Sequence, residues 1–413
     1  SALKGPATFG LVFLSVAFFD CSTDCTTGTI ESIQLRRPVA VAGAVAVRPT
    51  VLHVVPSAVK NPLLMGTVVG VDAEFAIGAF NGSDSELGTD CAELGIPFMD
   101  LGPARSVLQM AKSMRRVMLS IEPDVVEAHT VRPSVASAIL ASSMRRRPGM
   151  LAVRHHNLNH YLCPSRAGRL GDRFVNSQVD GVVAVSHAVR ETCIAEGLDP
   201  ARCHVAHNGL NLERFIDRRP TNLDFVRGAE FLLLAVGRLD WQKDYPTMLR
   251  CLADLTRRGL DVELVILGEG SVEASNSLVQ LCSDLDLTDR VHWIGWQSDV
   301  ASWMHAADLL VHSAADEAHP LVLIEVLATG LPLVATAAGG SREVLQPFYD
   351  LLPLGNPLAL ANAVHQALMD LPARRLYADS IRTQAVQRFN PIQMAESHLA
   401  ACQAVLRARA NTG

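Results

Sequence analysis

The sequence predicts an α/β protein made of two doubly wound parallel-sheet domains that face each other across a cleft. Three observations predict it. A chain of 413 residues exceeds what one ordinary hydrophobic core organises. Apolar residues make up 49% of it but aromatics only 5%, so the core rests on Leu, Val and Ala, as in helix-covered parallel sheets. Short β-branched runs alternate with helical patterns, and this rhythm restarts after residue 215.

The first series begins with the strand Thr50 to Val55 (TVLHVV), followed by a second at Glu74 to Phe80. A helical pattern covers Ser106 to Ile121, and a strand covers Asp124 to Ala128 after Pro123. Another helix lies near Ser134 to Arg145, and strands recur at Met150–Arg154, Gly181–Ser186 and His204–Ala206. The second series opens with the fully apolar Phe231 to Val236. Val262–Leu267, Val291–Ile294, Leu309–His312 and Pro332–Ala335 follow, separated by helical stretches. The expected division is an extension over 1–48, a first domain over 49–213, a second over 214–388, and a terminal helix over 389–413 that crosses back to the first. Arg218, Arg219 and Pro220 mark the expected linker. In such folds ligands bind at the carboxyl ends of the strands, so the cleft between the domains is the expected site.

Bulk properties remove several alternatives. A formal net charge of −6 argues against a nucleic-acid partner. Nine scattered cysteines form no disulfide framework and fit reduced thiols in a cytoplasmic protein. Cys21 and Cys25 lack the second pair that a zinc site needs. The apolar run Phe9 to Phe19 is too short to span a membrane and lacks the flanks of a clean signal peptide. The basic sets Lys112, Arg115, Arg116 and Arg145 to Arg147 suit either a solvated helix end or peripheral contact with anionic lipid.

The chemistry concentrates in two segments. In Asp316 to Gly340 (DEAHPLVLIEVLATGLPLVATAAGG), Pro320 suits a first helical turn and Gly330 a stop. That puts Glu317 in the loop before the helix and Glu325 within it. The helix amino end offers unpaired N–H groups and partial positive charge, a seat for phosphate. A carboxylate at Glu325 suits a ribose diol, and one at Glu317 suits sugar hydroxyls. In Ala235 to Pro246 (AVGRLDWQKDYP), Arg238 and Lys243 follow a buried strand, one a forked phosphate grip and the other a point charge. In the first domain His129 ends a strand within Glu127-Ala128-His129. Arg154-His155-His156, with Asn157 and His160, follows the next strand and suits an acceptor site; without a nearby carboxylate or Cys pair it makes a poor metal site.

Taken together these motifs resemble the retaining glycosyltransferases of family 4. The shared pattern is Gly237-Arg238-Leu239 with Lys243, the Glu317/Glu325 pair as E-x7-E, Gly330 to Thr336, and Gly339-Gly340. Supporting matches are His207-Asn208-Gly209 with Phe215, Leu267 to Gly270, Asp289-Arg290-Val291 before Gly295, and Arg388-Phe389. The resemblance covers about residues 50–405 and is strongest from 181 onward. It implies the GT-B fold, two Rossmann-like domains, and transfer of a hexose from a nucleoside-diphosphate sugar to an acceptor hydroxyl with retention. A UDP-sugar is favoured over a GDP-sugar. No cofactor or metal is expected, because no Asp-x-Asp stands in a metal-binding context and cationic groups stabilise the leaving phosphate instead.

The resemblance assigns catalytic roles to His129, Arg238, Lys243 and Glu317. It places Arg238, Lys243, Ile294, Glu317, Leu321, Val322 and Glu325 around the donor, with backbone from Ile294 to Gln297 meeting the base. Lys60, Asn61, Thr130, Arg154 and His155 are the acceptor-side candidates. The acceptor is a glycan, a lipid-linked sugar or a small molecule. One departure stands out: members carry a Gly-Gly loop after the first strand, and here Val55 runs into PSAVKNP, leaving Lys60 or Asn61 to take its place. This departure keeps two other readings open, a non-catalytic sugar-nucleotide binder and a sugar-nucleotide epimerase on the same fold.

Overall fold

A computed structural model describes residues 48–59, 61–82, 85–144, 147–157, 166–217 and 228–411. The expectations for residues 1–47, Lys60, Arg145, Arg146, His160 and the Arg218–Pro220 linker lie outside the described residues.

The first sheet holds β1 (Thr50–Val55), β2 (Glu74–Ala79), β3 (Phe98–Asp100), β4 (Val125–His129), β5 (Gly149–Arg154), β6 (Gly181–Ala184) and β7 (Cys203–Val205). Its spatial order is β3-β2-β1-β4-β5-β6-β7, with every pairing parallel. The second holds β8 (Phe231–Val236), β9 (Val262–Leu267), β10 (Val291–Gly295), β11 (Leu309–His312) and β12 (Leu333–Ala335), in the order β10-β9-β8-β11-β12, again all parallel. In both sheets the order reverses beside the first strand of the series. That switch point opens a crevice at the carboxyl ends of the strands.

Around the first sheet pack α1 (Pro62–Thr67), α2 (Glu86–Glu93), α3 (Val107–Ile121), α4 (Val131–Ser143), α5 (Arg166–Gln178) and α6 (His187–Ala195). The short α7 (Glu213–Ile216) lies in the connection. Around the second sheet pack α8 (Tyr245–Arg257), α9 (Val272–Asp284), α10 (Val300–Ala306), α11 (Leu321–Thr329), α12 (Ser341–Leu345), α13 (Pro357–Met369) and α14 (Leu371–Arg388). Helix starts follow the sequence chemistry: Ser106 accepts from Gln109 N at 3.2 Å and Ser186 from Val189 N at 3.1 Å, each satisfying an orphan N–H.

The final helix, α15 (Pro391–Ala410), leaves the second domain and packs on the first sheet. Ala401, Cys402 and Val405 close over Val51, Val125, Leu151, Val153 and Val183.

Four strands coincide with the sequence reading, at 50–55, 231–236, 262–267 and 309–312. The differences have physical causes. β3 has only three residues, too few to show an alternation, and takes its register from β2 at the sheet edge. α4 begins at Val131, three residues before the expected start, because Thr130 turns the chain directly off β4.

Candidate functional site

On the second-domain side, β8 ends at Val236, and Gly237 and Arg238 follow. A 3-10 turn over Trp241–Lys243 then brings the lysine back under the sheet end. Lys243 Nζ bonds the carboxylate of Glu317, and His312 Nε2 from the end of β11 lies 3.0 Å from the same oxygen. Burial alone would raise the Glu317 carboxyl, but the His312 ring and the Lys243 ammonium outweigh it and hold the group at about 2. Burial lowers His312, so it is a neutral ring beside an anion. Arg238 is exposed; its Nη2 donates to Gln242 Oε1 at 3.1 Å, and Gln242 Nε2 donates to Asp316 Oδ2 at 3.1 Å.

The helix after Glu317 starts at Leu321 with Pro320 as its N-cap residue, and ends on Gly330 at φ 74°, the left-handed conformation glycine tolerates best. Val322 is buried and Leu321 half-buried. Glu325 lies on α11 with little exposed surface, 4.0 Å from Arg214. Burial lifts its carboxyl to about 7, and the Arg214 charge offsets only part of that. The E-x7-E pair therefore has two electrostatic characters: Glu317 is firmly ionised, whereas Glu325 titrates near neutrality.

The paired glycines have a steric explanation. A Cβ on Gly340 would stand 1.7 Å from Ala318 O, and one on Gly339 would stand 2.2 Å from Glu317 O. Gly340 N donates to Glu317 O at 2.7 Å. The glycines let this turn lie flat against the loop that carries Glu317.

At the end of β10, Ile294 is half-buried and Trp296 is 68% exposed. Trp296 N reaches Glu269 Oε1 at 3.4 Å.

The first domain contributes the opposite wall. Asn61 caps α1, its Oδ1 accepting from Leu64 N at 3.0 Å. A cavity of about 480 Å³ runs between the domains, lined by Asn61 and Leu63 on one side and by Leu321 and Glu325 on the other, with Asn211 and Arg214 at its floor. His129 and His155 border a smaller recess that also touches Asn61, Asn208 and His398. His129 is buried, and both its ring nitrogens meet other histidines: Nε2 lies 3.0 Å from His53 Nδ1, and Nδ1 lies 3.0 Å from His155 Nε2. Thr130, directly after it, has φ 68°, a strained conformation for a β-branched residue.

Arg154 does not serve the acceptor side as the sequence suggested. It is buried, pairs with Glu196, and its Nη2 donates to Asn157 O at 3.0 Å. A cation at a strand end is drawn inward whenever a partner carboxylate waits there. Its structural work holds the loop that carries His155 and Asn157.

The sequence reading grouped Asn157 with an acceptor-side cluster and missed its partners across the cleft. Asn157 reaches across the cleft, its Nδ2 donating to Glu317 O at 2.7 Å and to Asp316 Oδ1 at 2.5 Å. His312 was read only as the end of a strand, and Glu343 was not singled out. Glu343 from α12 accepts from His187 N at 2.7 Å and Ala188 N at 2.9 Å, and lies 2.9 Å from His207 Nε2. The only sequence hint for such residues is a polar type at the mouth of an apolar strand or helix. Among the described residues no helix is long and apolar enough to cross a membrane.

Comparison with known proteins gives this arrangement a context. Residues 224–383 match the model described as glycosyl transferases group 1, and residues 79–214 match glycosyltransferase family 4. The chain is 26% identical over 292 residues to the N-acetyl-alpha-D-glucosaminyl L-malate synthase of Bacillus anthracis, covering 68% of this chain and 75% of that protein. It is 27% identical over 205 residues to a Campylobacter jejuni enzyme, covering 49% of this chain and 54% of that one. That enzyme's name is N-acetylgalactosamine-N,N'-diacetylbacillosaminyl-diphospho-undecaprenol 4-alpha-N-acetylgalactosaminyltransferase. Among solved structures, HepE of Anabaena in complex with UDP-glucose superposes with a TM-score of 0.72 at 21% identity, covering 86% of this chain and 100% of that one. At that identity the likeness speaks for the fold, the GT-B arrangement of two parallel-sheet domains.

Proposed function

The chain belongs to the glycosyltransferases of group 1 and family 4, and from that premise we propose that it moves a hexose from a nucleoside-diphosphate sugar to an acceptor hydroxyl with retention of configuration and without a metal. The observation that carries this reading is the meeting of Lys243 and Glu317 at the carboxyl ends of β8 and β11, with Arg238 on the turn after β8 and Glu325 on the helix that follows Glu317.

In this reading the diphosphate draws Lys243 from Glu317 and binds between Lys243 and Arg238. Glu317, freed of its partner and already ionised, accepts hydrogen bonds from sugar hydroxyls. Glu325 accepts from the ribose diol, and Leu321 and Val322 lie beside it. Backbone near Ile294 meets the base. His155, Thr130 and Asn61 face the sugar and the acceptor from the first domain, and His129 backs His155. The acceptor oxygen bonds to the anomeric carbon as the carbon–oxygen bond to the diphosphate breaks, and the acceptor proton passes to the departing phosphate on the same face. The two cations stabilise the charge that gathers there, the role a metal takes in other enzymes. UDP-sugar is the preferred donor, consistent with the UDP-glucose bound by HepE. A lipid-linked acceptor would resemble that in the Campylobacter enzyme's name, and the exposed Lys112, Arg115 and Arg116 on α3 would then meet anionic headgroups.

The test is a thermal-shift screen of UDP, GDP and ADP sugars, followed by nucleotide release with and without EDTA. A UDP-sugar should raise the melting temperature most, and EDTA should leave release unchanged. Absence of any donor-induced shift would overturn the reading.

A further inference from the structure

Beneath the first-domain wall lies a continuous line of polar groups inside an apolar sheet face. His53 on β1 and Glu127 on β4 stand in register, and His129 follows two residues on, so all three side chains emerge on the face that α15 covers. From α15, His398 and Cys402 lie one turn apart and both aim at Glu127: His398 Nδ1 is 2.7 Å from Oε2, and Cys402 Sγ donates to Oε1 at 3.2 Å. His53 Nδ1 lies 3.6 Å from Glu127 Oε2 and 3.0 Å from His129 Nε2; His129 Nδ1 in turn lies 3.0 Å from His155 Nε2.

The hydrogen inventory decides how this line is wired. Burial lowers His53 to about 4 and His155 to about 3, and pushes His129 well down, so each ring is neutral at pH 7 and carries one N–H. Burial would raise the Glu127 carboxyl, but bonding from His398, with His53 and Cys402, holds it at about 2, so it is an anion and only accepts. Two wirings remain. In one, every ring donates forward through Nδ1, from His53 to His129 to His155. In the other, every ring donates backward through Nε2. The backward wiring turns the lone pair of His53 Nδ1 toward the Glu127 carboxylate, and buries an N–H at His53 Nε2, which finds no partner among the described residues. Orphaned buried N–H groups are rare and costly. The forward wiring donates the His53 Nδ1–H to His129 Nε2, keeps that proton on the nitrogen 3.6 Å from the Glu127 carboxylate, whose charge favours it there, and leaves His53 Nε2 as an acceptor.

We propose that Glu127 is a positioning residue that gives the buried chain His53–His129–His155 a single direction, so that His155 presents Nδ1–H at the cleft. The chemical meaning of that donor rests on the sugar-nucleotide reading above: it is an N–H suited to a sugar or acceptor oxygen, held in one tautomer by a carboxylate three rings away. His129 is then a relay within the wall, since both its nitrogens are engaged.

The wiring is read by long-range 1H–15N correlation on the full chain labelled with 15N-histidine, at pH 7.5, with His53→Gln and His155→Gln giving the assignments. The expected result is Nδ1–H in all three rings of the ligand-free wild type, and at least one ring changed to Nε2–H in Glu127→Gln, whose amide can donate to His53. An Nε2–H signature at His129 in the wild type would overturn the proposal without any variant, so it stands even if Glu127→Gln fails to fold. An unchanged pattern in folded Glu127→Gln would also overturn it. So would one equivalent of zinc that stays bound through gel filtration in EDTA, because a metal held by His53, Glu127 and His129 would replace the hydrogen bond. Nucleotide release from UDP-glucose adds a functional arm: Glu127→Gln should lower kcat at least tenfold with KM within about threefold. If the wild type releases no UDP, the donor reading fails, while the spectrum still decides the wiring.

Discussion

Lys243 and Glu317 bond to each other, so in the proposed reading a donor phosphate draws the ammonium from a carboxylate it already neutralises. Lys243→Ala should reduce nucleotide release about 100- to 1,000-fold, the usual loss for one group that stabilises developing charge. It should also raise the Glu317 carboxyl from about 2, because one of the charges holding it down is gone. Steady-state kinetics and circular dichroism at matched pH check both the loss and the retained fold; wild-type rates would remove Lys243 from the donor site. Glu325 behaves oppositely. Its folded value of about 7 lies above its unfolded value, so its contribution to stability is full below about pH 4.5 and is lost as pH rises through 7. A ribose diol is best held by the ionised form, so UDP-glucose affinity should rise up to about tenfold from pH 6 to pH 8. Glu325→Gln should flatten that profile, weaken binding, and make the ligand-free protein more stable than wild type at pH 8. Calorimetric titration of both proteins at several pH values tests this, and a flat wild-type profile would contradict it.

At the scale of elements, the turn at Gly339-Gly340 sets the height of the Glu317 loop. Gly340→Ala places a methyl 1.7 Å from Ala318 O, where backbone on both sides must move. The expected cost is about 1–3 kcal/mol, seen as a lower melting temperature, together with a kcat loss larger than the stability loss explains, because the shift displaces Glu317. The sequence made this region legible because its devices are local: a proline at a helix start, a glycine at a stop, two glycines where backbones touch. The strands were legible for a similar reason, since runs such as Phe231–Val236 are apolar on both faces. The first-domain wall was not. Arg154 read as a cleft cation because nothing near it in sequence announces Glu196, 42 positions on. His129 read as a residue facing substrate because its partners His53 and His155 come from β1 and from the loop after β5, 76 and 26 positions away. Long-range pairing of polar side chains has no periodicity to betray it.

On the scale of the whole molecule, specific hydrogen bonds cross between the two domains. Asn157 meets Glu317 O, Asn208 Nδ2 donates to His319 O at 2.9 Å, and Glu343 caps the amino end of α6 while touching His207. Burial would raise Glu343, but the His207 ring and the two α6 N–H groups hold it at about 2. Because that lies below the unfolded value, its contribution to stability is full above about pH 4.5 and disappears as pH falls toward 2. Glu343→Gln keeps the size and loses the charge, so it should loosen the domain junction; small-angle scattering should show a larger radius of gyration at pH 7, and unchanged scattering would mean the junction does not depend on this carboxylate. The return of α15 to the first sheet has a consequence in time as well as in space. The face of that sheet over Val51, Val125, Leu151 and Val183 stays bare until residues 391–410 exist. At ordinary synthesis rates of about 5–20 residues per second, the wait after β7 is on the order of ten to forty seconds. During it the second domain can complete itself while the first, though made earlier, stays exposed. In the order of birth the first domain finishes last, and a ribosome stalled before residue 391 releases a chain whose second domain is whole and whose first is open to chaperones and proteases.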